Sequence, residues 1–196
     1  MGKEKYIKDA LDFFGKTPVA STRDIELIVN KVGIKKSYLH LFIHNLVKSG
    51  KIKRITKGFY TIHDDPTVAV FCFRPAYIGL QDSLSIHNLW EQESNAVIIT
   101  GRKVRNGIRN ILGSSVVLKR IKRRYIFGYE LVQYDNFYIP VSDVEKTLID
   151  FVYFKEPLDK EVLNAIKKRI RIEKIKGYLK FYPNRIKKTV LKLLGI

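Results

Sequence analysis

The residues that could do chemistry lie on one side of a helix predicted to open at residues 35–37 and to end at residues 49–50. Its inward face carries apolar residues at helical spacing, namely Leu39, Phe42, Ile43, Leu46 and Val47. Its opposite face carries small polar, aromatic and basic groups, namely Ser37, Tyr38, His40, Leu41, His44 and Lys48. The chemistry that these groups offer is hydrogen bonding and apolar contact to a partner such as the bases of DNA.

This outward face has the donors, acceptors and apolar contacts that recognition in a DNA major groove requires. Tyr38, His40 and His44 can donate hydrogen bonds. Ser37 can donate or accept one, and Leu41 could contact the methyl group of thymine. Cations near this face are placed for phosphates, which position a protein without specifying sequence: Lys35, Lys36, Lys48, Arg54 and Lys57.

His40 and His44 also have the H-x-x-x-H spacing of a zinc-binding pair. The residue after His40 is Leu41 rather than the glutamate of the metalloprotease motif, and the sequence offers no evident third ligand. We therefore expect no metal site and no cofactor here.

The elements around this helix predict a helix-turn-helix. Apolar spacing predicts a first helix over residues 3–14, and Ser21 and Asp24 have capping-box spacing for a second. Gly33 fits the turn before the third helix.

A basic hairpin is predicted directly behind the third helix. Its strands span residues 51–55 and 59–62 around a turn at residues 56–58. Together with the helices it predicts a winged helix-turn-helix DNA-binding domain over residues 1–63. In it Arg54 and Lys57 would reach an adjacent backbone or minor groove. A winged helix that serves only protein contacts is the structural alternative.

The composition favours a polyanionic partner. The 196 residues include 37 lysines and arginines against 19 acidic residues, which gives a net charge of +18 and a pI near 9.9. Heat adaptation is an alternative explanation of a lysine-rich chain, but it usually brings matching glutamate, which is missing here.

Signatures of several other protein classes are absent from the sequence. It contains no P-loop, dinucleotide-binding, serine-hydrolase or zinc-protease motif. The single cysteine, Cys72, excludes an internal disulfide and is expected to be a buried, inert thiol. Because these catalytic motifs are missing, we expect that the protein is not an enzyme. Because the sequence has no apolar run long enough to span a bilayer and no secretory signal, we expect a cytoplasmic, non-membrane protein.

A second domain of mixed α+β class is predicted over residues 67–155. Residues 68–73 are uniformly apolar and predict a buried strand, whereas residues 78–90 have helical periodicity. Four further strands are predicted, at residues 96–100, 115–119, 125–133 and 137–139. The last two are joined by Tyr134-Asp135-Asn136, which are good hairpin residues.

Residues 156–196 predict a basic helical segment packed on the second domain, with interruptions at Gly177 and Pro183. Two apolar stripes run along it, one at Val162, Leu163, Ile166 and Ile170 and one at Ile186, Val190, Leu193 and Leu194. Its lysines and arginines lie off these stripes, so they would face nucleic acid or, alternatively, a membrane surface.

A cluster of cations in the second domain predicts a secondary phosphate-binding surface. Its members are Arg102, Lys103, Arg105, Arg109, Lys119, Arg120, Lys122, Arg123 and Arg124. The interleaved Tyr125 and Phe127 could stack on exposed bases. The alternatives are a solvated surface, or a contact for RNA or an acidic protein.

Several blocks of this domain resemble the AbiEi-like family of antitoxins and transcriptional regulators. The blocks are Tyr77-Ile78-Gly79, Ser83-Leu84, His87, Phe127-Gly128-Tyr129 and, above all, VSDVEKTLID at residues 141–150. The last block is similar to the family signature at Glu145, Lys146, Thr147, Leu148 and Asp150. The resemblance covers roughly residues 5–196.

The resemblance implies an autoregulating repressor that binds inverted repeats near its own promoter. It also implies an antitoxin that is encoded beside a nucleotidyltransferase-like toxin and acts without a stable complex with it. A structural explanation of the signature stands beside this one. Ser142 and Glu145 have capping-box spacing, Leu148 and Ile149 face the core, and Asp150 would bond a neighbouring backbone or arginine.

The sequence thus favours a sequence-specific, double-stranded DNA-binding transcriptional regulator. The alternatives are a metal-dependent nucleic-acid-processing enzyme and a protein-interaction adaptor. A homodimer is compatible with DNA recognition, because two-fold operators usually meet two recognition helices.

Overall fold

The computed structural model describes residues 7–8, 11–31, 36–91 and 95–196. They form a mixed α+β protein, which confirms the predicted class. The chain divides into two compact units, Met1–Cys72 with Asn110–Ser114 and Phe73–Arg109 with Ser115–Ile196. The first unit thus extends beyond the predicted boundary at residue 63, and residues 156–196 belong to the second unit.

The first unit contains helical residues 7–8 and 11–14, two longer helices and a three-stranded antiparallel sheet of order β1-β3-β2. The bounds are β1 Ala20–Ser21, α1 Thr22–Lys31, α2 Lys36–Lys48, β2 Lys53–Thr56 and β3 Phe59–Thr61. The predicted turn at Gly33 and parts of the predicted first helix, residues 3–6 and 9–10, lie outside the described residues.

A capping box starts α1, as the spacing of Ser21 and Asp24 predicts. The backbone N–H and the hydroxyl of Ser21 donate to Asp24 Oδ2 at 2.8 and 2.7 Å, and the backbone N–H of Asp24 donates to Ser21 Oγ at 3.2 Å. The box satisfies N–H groups that the first turn of a helix leaves without intrahelical partners.

The core of the first unit is built mainly from one face of each helix. Buried members include Phe14, Ile25, Val29, Leu39, Phe42, Ile43, Leu46 and Ile52. The inward face predicted for α2 is therefore confirmed, with Val47 partly buried beside it. Gly50, at φ +69°, follows the end of α2 in a conformation that favours glycine.

The predicted buried strand at residues 68–73 is wrong, because these residues belong to a 3₁₀ helix, Pro66–Phe73. The segment is buried as expected, and Cys72 is a buried free thiol. A uniformly apolar run has no periodicity that distinguishes strand from helix. Asp65 favours a turn at the start of this segment, since its Oδ1 accepts the backbone N–H of Thr67 at 2.8 Å.

Most of a six-stranded mixed sheet, of order β6-β7-β5-β4-β9-β8, belongs to the second unit, whereas Asn110–Ser114 at the end of β6 and the start of β7 belong to the first. The strand bounds are β4 Ala76–Ile78, β5 Ala96–Thr100, β6 Gly107–Ile111, β7 Ser114–Arg120, β8 Tyr129–Tyr134 and β9 Phe137–Ser142. The pairs β4–β9 and β5–β7 are parallel, whereas β4–β5 and β8–β9 are antiparallel. The hairpin predicted at Asp135 and Asn136 is confirmed, since Tyr134 pairs with Phe137.

Two predictions for this region need correction, and one strand is additional to those predicted. Residues 76–78 form β4, so the helix predicted from residue 78 starts only at Leu80. The strand predicted from residue 125 starts at Tyr129, after a 3₁₀ turn at Arg123–Tyr125. Strand β6 was not predicted at all.

The helices of the second unit are α3 Leu80–Ile86, α4 Val144–Phe154, α5 Lys160–Arg169, α6 Ile172–Leu179 and α7 Asn184–Leu194. Residues 144–154 lie at the centre of the unit, and α5, α6 and α7 add Ile166, Ile175, Leu179 and Val190 to its buried core. Both predicted stripes of the C-terminal segment contribute to this packing. Gly177 does not interrupt the segment, because it lies inside α6. One break comes instead at Ile170–Arg171, and the predicted break at Pro183 is confirmed, since Pro183 is the N-cap of α7. Among the described helices, none is long and apolar enough to cross a membrane.

Candidate nucleic-acid interface

The outward face of α2 is open to solvent. Ser37, His40, His44 and Lys48 are exposed, and Leu41 keeps 51% of its surface accessible. Tyr38 differs, because its half-buried side chain packs against the core of the first unit. Lys36 is the first residue of α2, whereas Lys35 lies outside the described residues.

The hairpin β2–β3 presents two exposed cations, Arg54 and Lys57. Its turn is fixed by Gly58, at φ +80°, whose carbonyl accepts the backbone N–H of Thr22 at 2.9 Å. This bond ties the hairpin turn to the first residue of α1. Lys53, by contrast, is engaged in an ion pair with Asp64.

The positive charge of these elements is not neutralised locally. Within the part of the chain that the structure describes, Lys48, Arg54 and Lys57 form no ion pair. Cations without a carboxylate partner remain available to phosphate groups. No group of three or more His, Cys, Asp and Glu side chains among the described residues is placed to hold a metal ion.

The structure separates the nine cations of the predicted secondary surface into different environments. Lys119 pairs with Glu156 at 2.5 Å, and its ammonium group lies 5.3 Å from the centre of the Phe154 ring. The guanidinium of Arg124 lies over the Tyr125 ring at 4.9 Å, and that of Arg109 donates to the carbonyl of Arg105 at 3.0 Å. The other six are exposed: Arg102, Lys103, Arg105, Arg120, Lys122 and Arg123.

Three of these exposed cations line one cavity of about 510 Å³ in the second unit. The cavity is bounded by Arg105, Arg120 and Lys122, together with Val104, Asn106, Ile121 and Tyr153. Asn106 Oδ1 accepts the backbone N–H of Arg120 at 2.7 Å and so joins the two sides of the cavity. The arrangement is a concave cationic surface suited to a phosphate group.

The stacking role predicted for Tyr125 and Phe127 is wrong. Tyr125 is buried and stacks on Tyr182 with ring centres 4.3 Å apart. Phe127 packs against the rings of Tyr178 and Phe181 at 5.2 Å. Both aromatic rings belong to the packing of the second unit, so exposed bases have little ring surface to stack on here.

The helix cap predicted at Ser142 is displaced by one residue. Asp143 is the N-cap of α4, and its Oδ1 accepts the backbone N–H of Lys146 at 2.7 Å. Ser142 still belongs to β9, where its hydroxyl lies 2.7 Å from that of Thr147. Glu145 therefore does not close a box with Ser142.

The polar residues of α4 form a buried network around Lys146. Its ammonium group pairs with Asp150 and lies 2.6 Å from the hydroxyl of Tyr77, which in turn donates to Asp150 Oδ2 at 2.8 Å. All three side chains are fully buried. Burial lowers the pKa of Lys146 and raises that of Asp150, and the opposite charge of each partner offsets part of this shift.

A second group of charges ties α6 to the start of α4. Lys174 Nζ lies 2.9 Å from Asp143 Oδ2 and 3.0 Å from Glu145 Oε2, while the hydroxyl of Tyr178 donates to Asp143 Oδ2 at 2.7 Å. Partial burial and this bond raise the pKa of Tyr178 from 10.0 to about 12. Burial alone would raise the pKa of Glu145, but bonds from the Arg171 N–H and from Lys174 leave it below its ordinary value.

These contacts explain residues 143–150 structurally. Asp150 bonds a lysine and a tyrosine rather than the predicted backbone or arginine, and the buried groups satisfy one another. His87 also contacts this region, with its Nε2 2.8 Å from the carbonyl oxygen of Ser142. Sequence reasoning missed Tyr77, Lys174 and Tyr178, and only the four-residue spacing of Lys146 and Asp150 could have indicated part of the network.

Comparison with known proteins finds similarity at the level of the fold. No model of a protein family matches the chain, and no curated protein is significantly similar to it. The crystal structure of the RV2827C protein from Mycobacterium tuberculosis is similar, with a TM-score of 0.62 and 12% sequence identity. The match covers 97% of this chain and 76% of that one. At this identity, the similarity describes a shared fold.

Proposed function

We propose that this protein is a sequence-specific, double-stranded DNA-binding transcriptional regulator whose N-terminal unit is a winged helix-turn-helix. The observation that carries the proposal is the two-sided character of α2. One face of α2 is buried in the core, while the other presents His40, Leu41 and His44 to solvent. A recognition helix needs one face that packs on its own domain and an opposite face that is free to contact base edges in a major groove, and α2 has both.

The sheet order β1-β3-β2 supports the same proposal. A short strand ahead of α1 pairs with the returning strand of the hairpin. In the proposed domain β2, β3 and their turn would form the wing. The wing carries Arg54 and Lys57 without ion-pair partners among the described residues. These cations suit phosphates beside the groove that α2 would enter.

The second unit adds a separate cationic surface, the cavity lined by Arg105, Arg120 and Lys122. It is proposed to bind phosphate groups of nucleic acid. The roles of repressor and antitoxin rest on the resemblance of residues 141–150 to the AbiEi-like signature and remain predictions.

The test is binding of the full chain to DNA from just upstream of its own gene, measured by fluorescence anisotropy over a range of salt concentrations. Binding that raises the anisotropy and weakens with salt is expected, and the slope of log affinity against log salt concentration should be about −0.9 for each phosphate contact. Lys57→Ala should reduce the slope by about one contact. No binding to upstream DNA beyond that to random DNA of the same length would contradict the proposal.

The same titration tests the second surface. The double variant Arg120→Gln/Lys122→Gln should reduce the salt slope by about two contacts. Lys119→Gln is the matched control, because Lys119 is already engaged with Glu156 and should change the slope little. If the double variant and the wild type have the same salt slope, the cavity does not contact DNA phosphates.

A further inference from the structure

Strand β8 lies at one end of the six-stranded sheet and is open to solvent. Among the described residues no strand pairs with its outer edge, and its side chains are mostly exposed. Leu131 keeps 67% of its surface accessible and Tyr129 43%, and Tyr138 on the neighbouring β9 keeps 57%. The pairing of β8 with β9 places these three side chains on one face.

Proteins usually protect an exposed edge with lysine, proline or a bulge. The sequence of β8, YELVQY, contains no cation and no proline, although the chain has 37 lysines and arginines. Its register with β9 is continuous from Tyr129 to Tyr134, whereas the register of β2 with β3 is shifted. At the other end of the sheet, β6 carries Arg109 and follows Arg102, Lys103 and Arg105, so two copies of that edge would repel each other.

The backbone geometry defines which groups of β8 are free to pair. A two-residue loop closes on a hydrogen-bonded pair, here Tyr134 with Phe137, and bonded pairs recur at every second residue. The backbone N–H and C=O groups of Tyr129, Leu131 and Gln133 therefore point away from β9. These residues alternate along one face, so the same three positions supply both the free backbone groups and exposed side chains.

We propose that two copies of this protein associate through antiparallel pairing of β8 with β8 across a two-fold axis. In the register that uses the outward backbone groups, Leu131 lies opposite Leu131 of the second copy and Tyr129 lies opposite its Gln133. This register covers the most exposed apolar side chain of the edge and brings no two cations of β8 together. It joins two six-stranded sheets into one sheet of twelve strands.

A small edge contact predicts a dimer that dissociates on dilution. Sedimentation equilibrium of the full chain should show dimer at about 100 µM and mostly monomer at about 1 µM. Leu131→Lys should raise the dimer dissociation constant at least about tenfold, since a lysine is a common guard of natural edges. Ile108→Lys on β6 is the control, because Ile108 is similarly exposed at 65% and should leave the constant unchanged.

Cysteine cross-linking tests the register even if Leu131→Lys folds poorly. Opposed residues of a bonded pair have Cα atoms about 5.5 Å apart, within disulfide range, so Leu131→Cys should form a covalent dimer under mild oxidation. Tyr129→Cys should not, because its two copies would be four residues out of register, about 14 Å apart. Cys72 is buried and gives a constant background. A monomer at about 100 µM, a dimer insensitive to Leu131→Lys, or equal cross-linking at both positions would overturn the proposal.

Discussion

At the scale of single residues, the start of α4 shows how a basic protein uses its few carboxylates. Asp143, Glu145 and Asp150 are all buried, and each faces a lysine. Breaking such a pair leaves an uncompensated buried charge, which costs about 3–5 kcal/mol. This cost is a structural reason for both signs of charge to occur together in this network.

Tyr178 gives a pH-dependent test of this network. Its pKa is raised from 10.0 to about 12, so its contribution to stability is complete below pH 10 and is lost as the pH rises through 12. We expect the difference in free energy of unfolding between the wild type and Tyr178→Phe to be constant below about pH 10 and to shrink between about pH 10 and 12. Urea unfolding at a series of pH values measures it.

The control for this experiment is Tyr138→Phe, since Tyr138 is an exposed tyrosine on β9. Its difference from the wild type should stay small at every pH. A Tyr178→Phe difference that persists unchanged to pH 12 would show that the bond to Asp143 does not hold in solution.

Single-residue roles were predictable where a residue acts through its immediate neighbours. The spacing of Ser21 and Asp24 was sufficient for their capping box, because both partners lie in one turn of chain. At α4 the same spacing predicts Ser142 as the N-cap, but the N-cap is Asp143, because strand β9 extends through Ser142. Local spacing alone carries no information about where that strand ends. Tyr77 was out of reach, because its partner Asp150 is 73 positions away in the chain.

At the scale of elements, the backbone at Gly128, just before β8, packs closely against the start of α4. Gly128 has φ +68°, and its carbonyl accepts the backbone N–H of Asp143 at 2.9 Å. A Cβ at this position would lie 2.8 Å from Tyr178 Cε2 and 3.0 Å from Lys146 Cβ. The lack of a side chain at Gly128 therefore lets the loop before β8 lie close to Tyr178 and Lys146.

Gly128→Ala should lower the free energy of unfolding by about 3 kcal/mol, because backbone strain of about 1–2 kcal/mol adds to overpacking of about 1–3 kcal/mol. Gly113→Ala separates the two effects. Gly113 also has positive φ, +84°, but nothing lies within 4 Å of the position of its Cβ. Gly113→Ala should therefore lower the free energy of unfolding only by the backbone strain of about 1–2 kcal/mol, as measured by denaturant unfolding. Equal losses in the two variants would contradict the crowding at Gly128.

Elements with their own periodicity were predictable, and elements defined by distant partners were not. Helix α2, the hairpin β2–β3 and strands β5 and β7 follow from local pattern and turn residues. Strand β4 has three residues and exists because β5 and β9 bind it on either side. The segment Pro66–Phe73 is apolar throughout, so its burial was predictable while its helical form was not.

At the scale of the whole molecule, the net charge of +18 is borne by both units. Exposed cations of the first unit include Lys48, Arg54 and Lys57 on the predicted reading helix and hairpin. Exposed cations of the second unit include Arg105, Arg120 and Lys122, which line the cavity. Net charge alone predicts binding to any polyanion. Discrimination between DNA sequences must come from side chains that meet base edges, and the proposal assigns that role to the outward face of α2.

The measurement that tests this assignment most directly is the ratio of affinities for operator and random DNA, determined at one salt concentration. His44→Ala should weaken operator binding by about 1–3 kcal/mol and leave random DNA almost unchanged, so the ratio falls. Lys57→Ala, a phosphate contact, should weaken both alike and preserve the ratio. If His44→Ala preserves the ratio as Lys57→Ala does, then α2 does not read DNA and the account of this protein as a sequence-specific regulator is wrong.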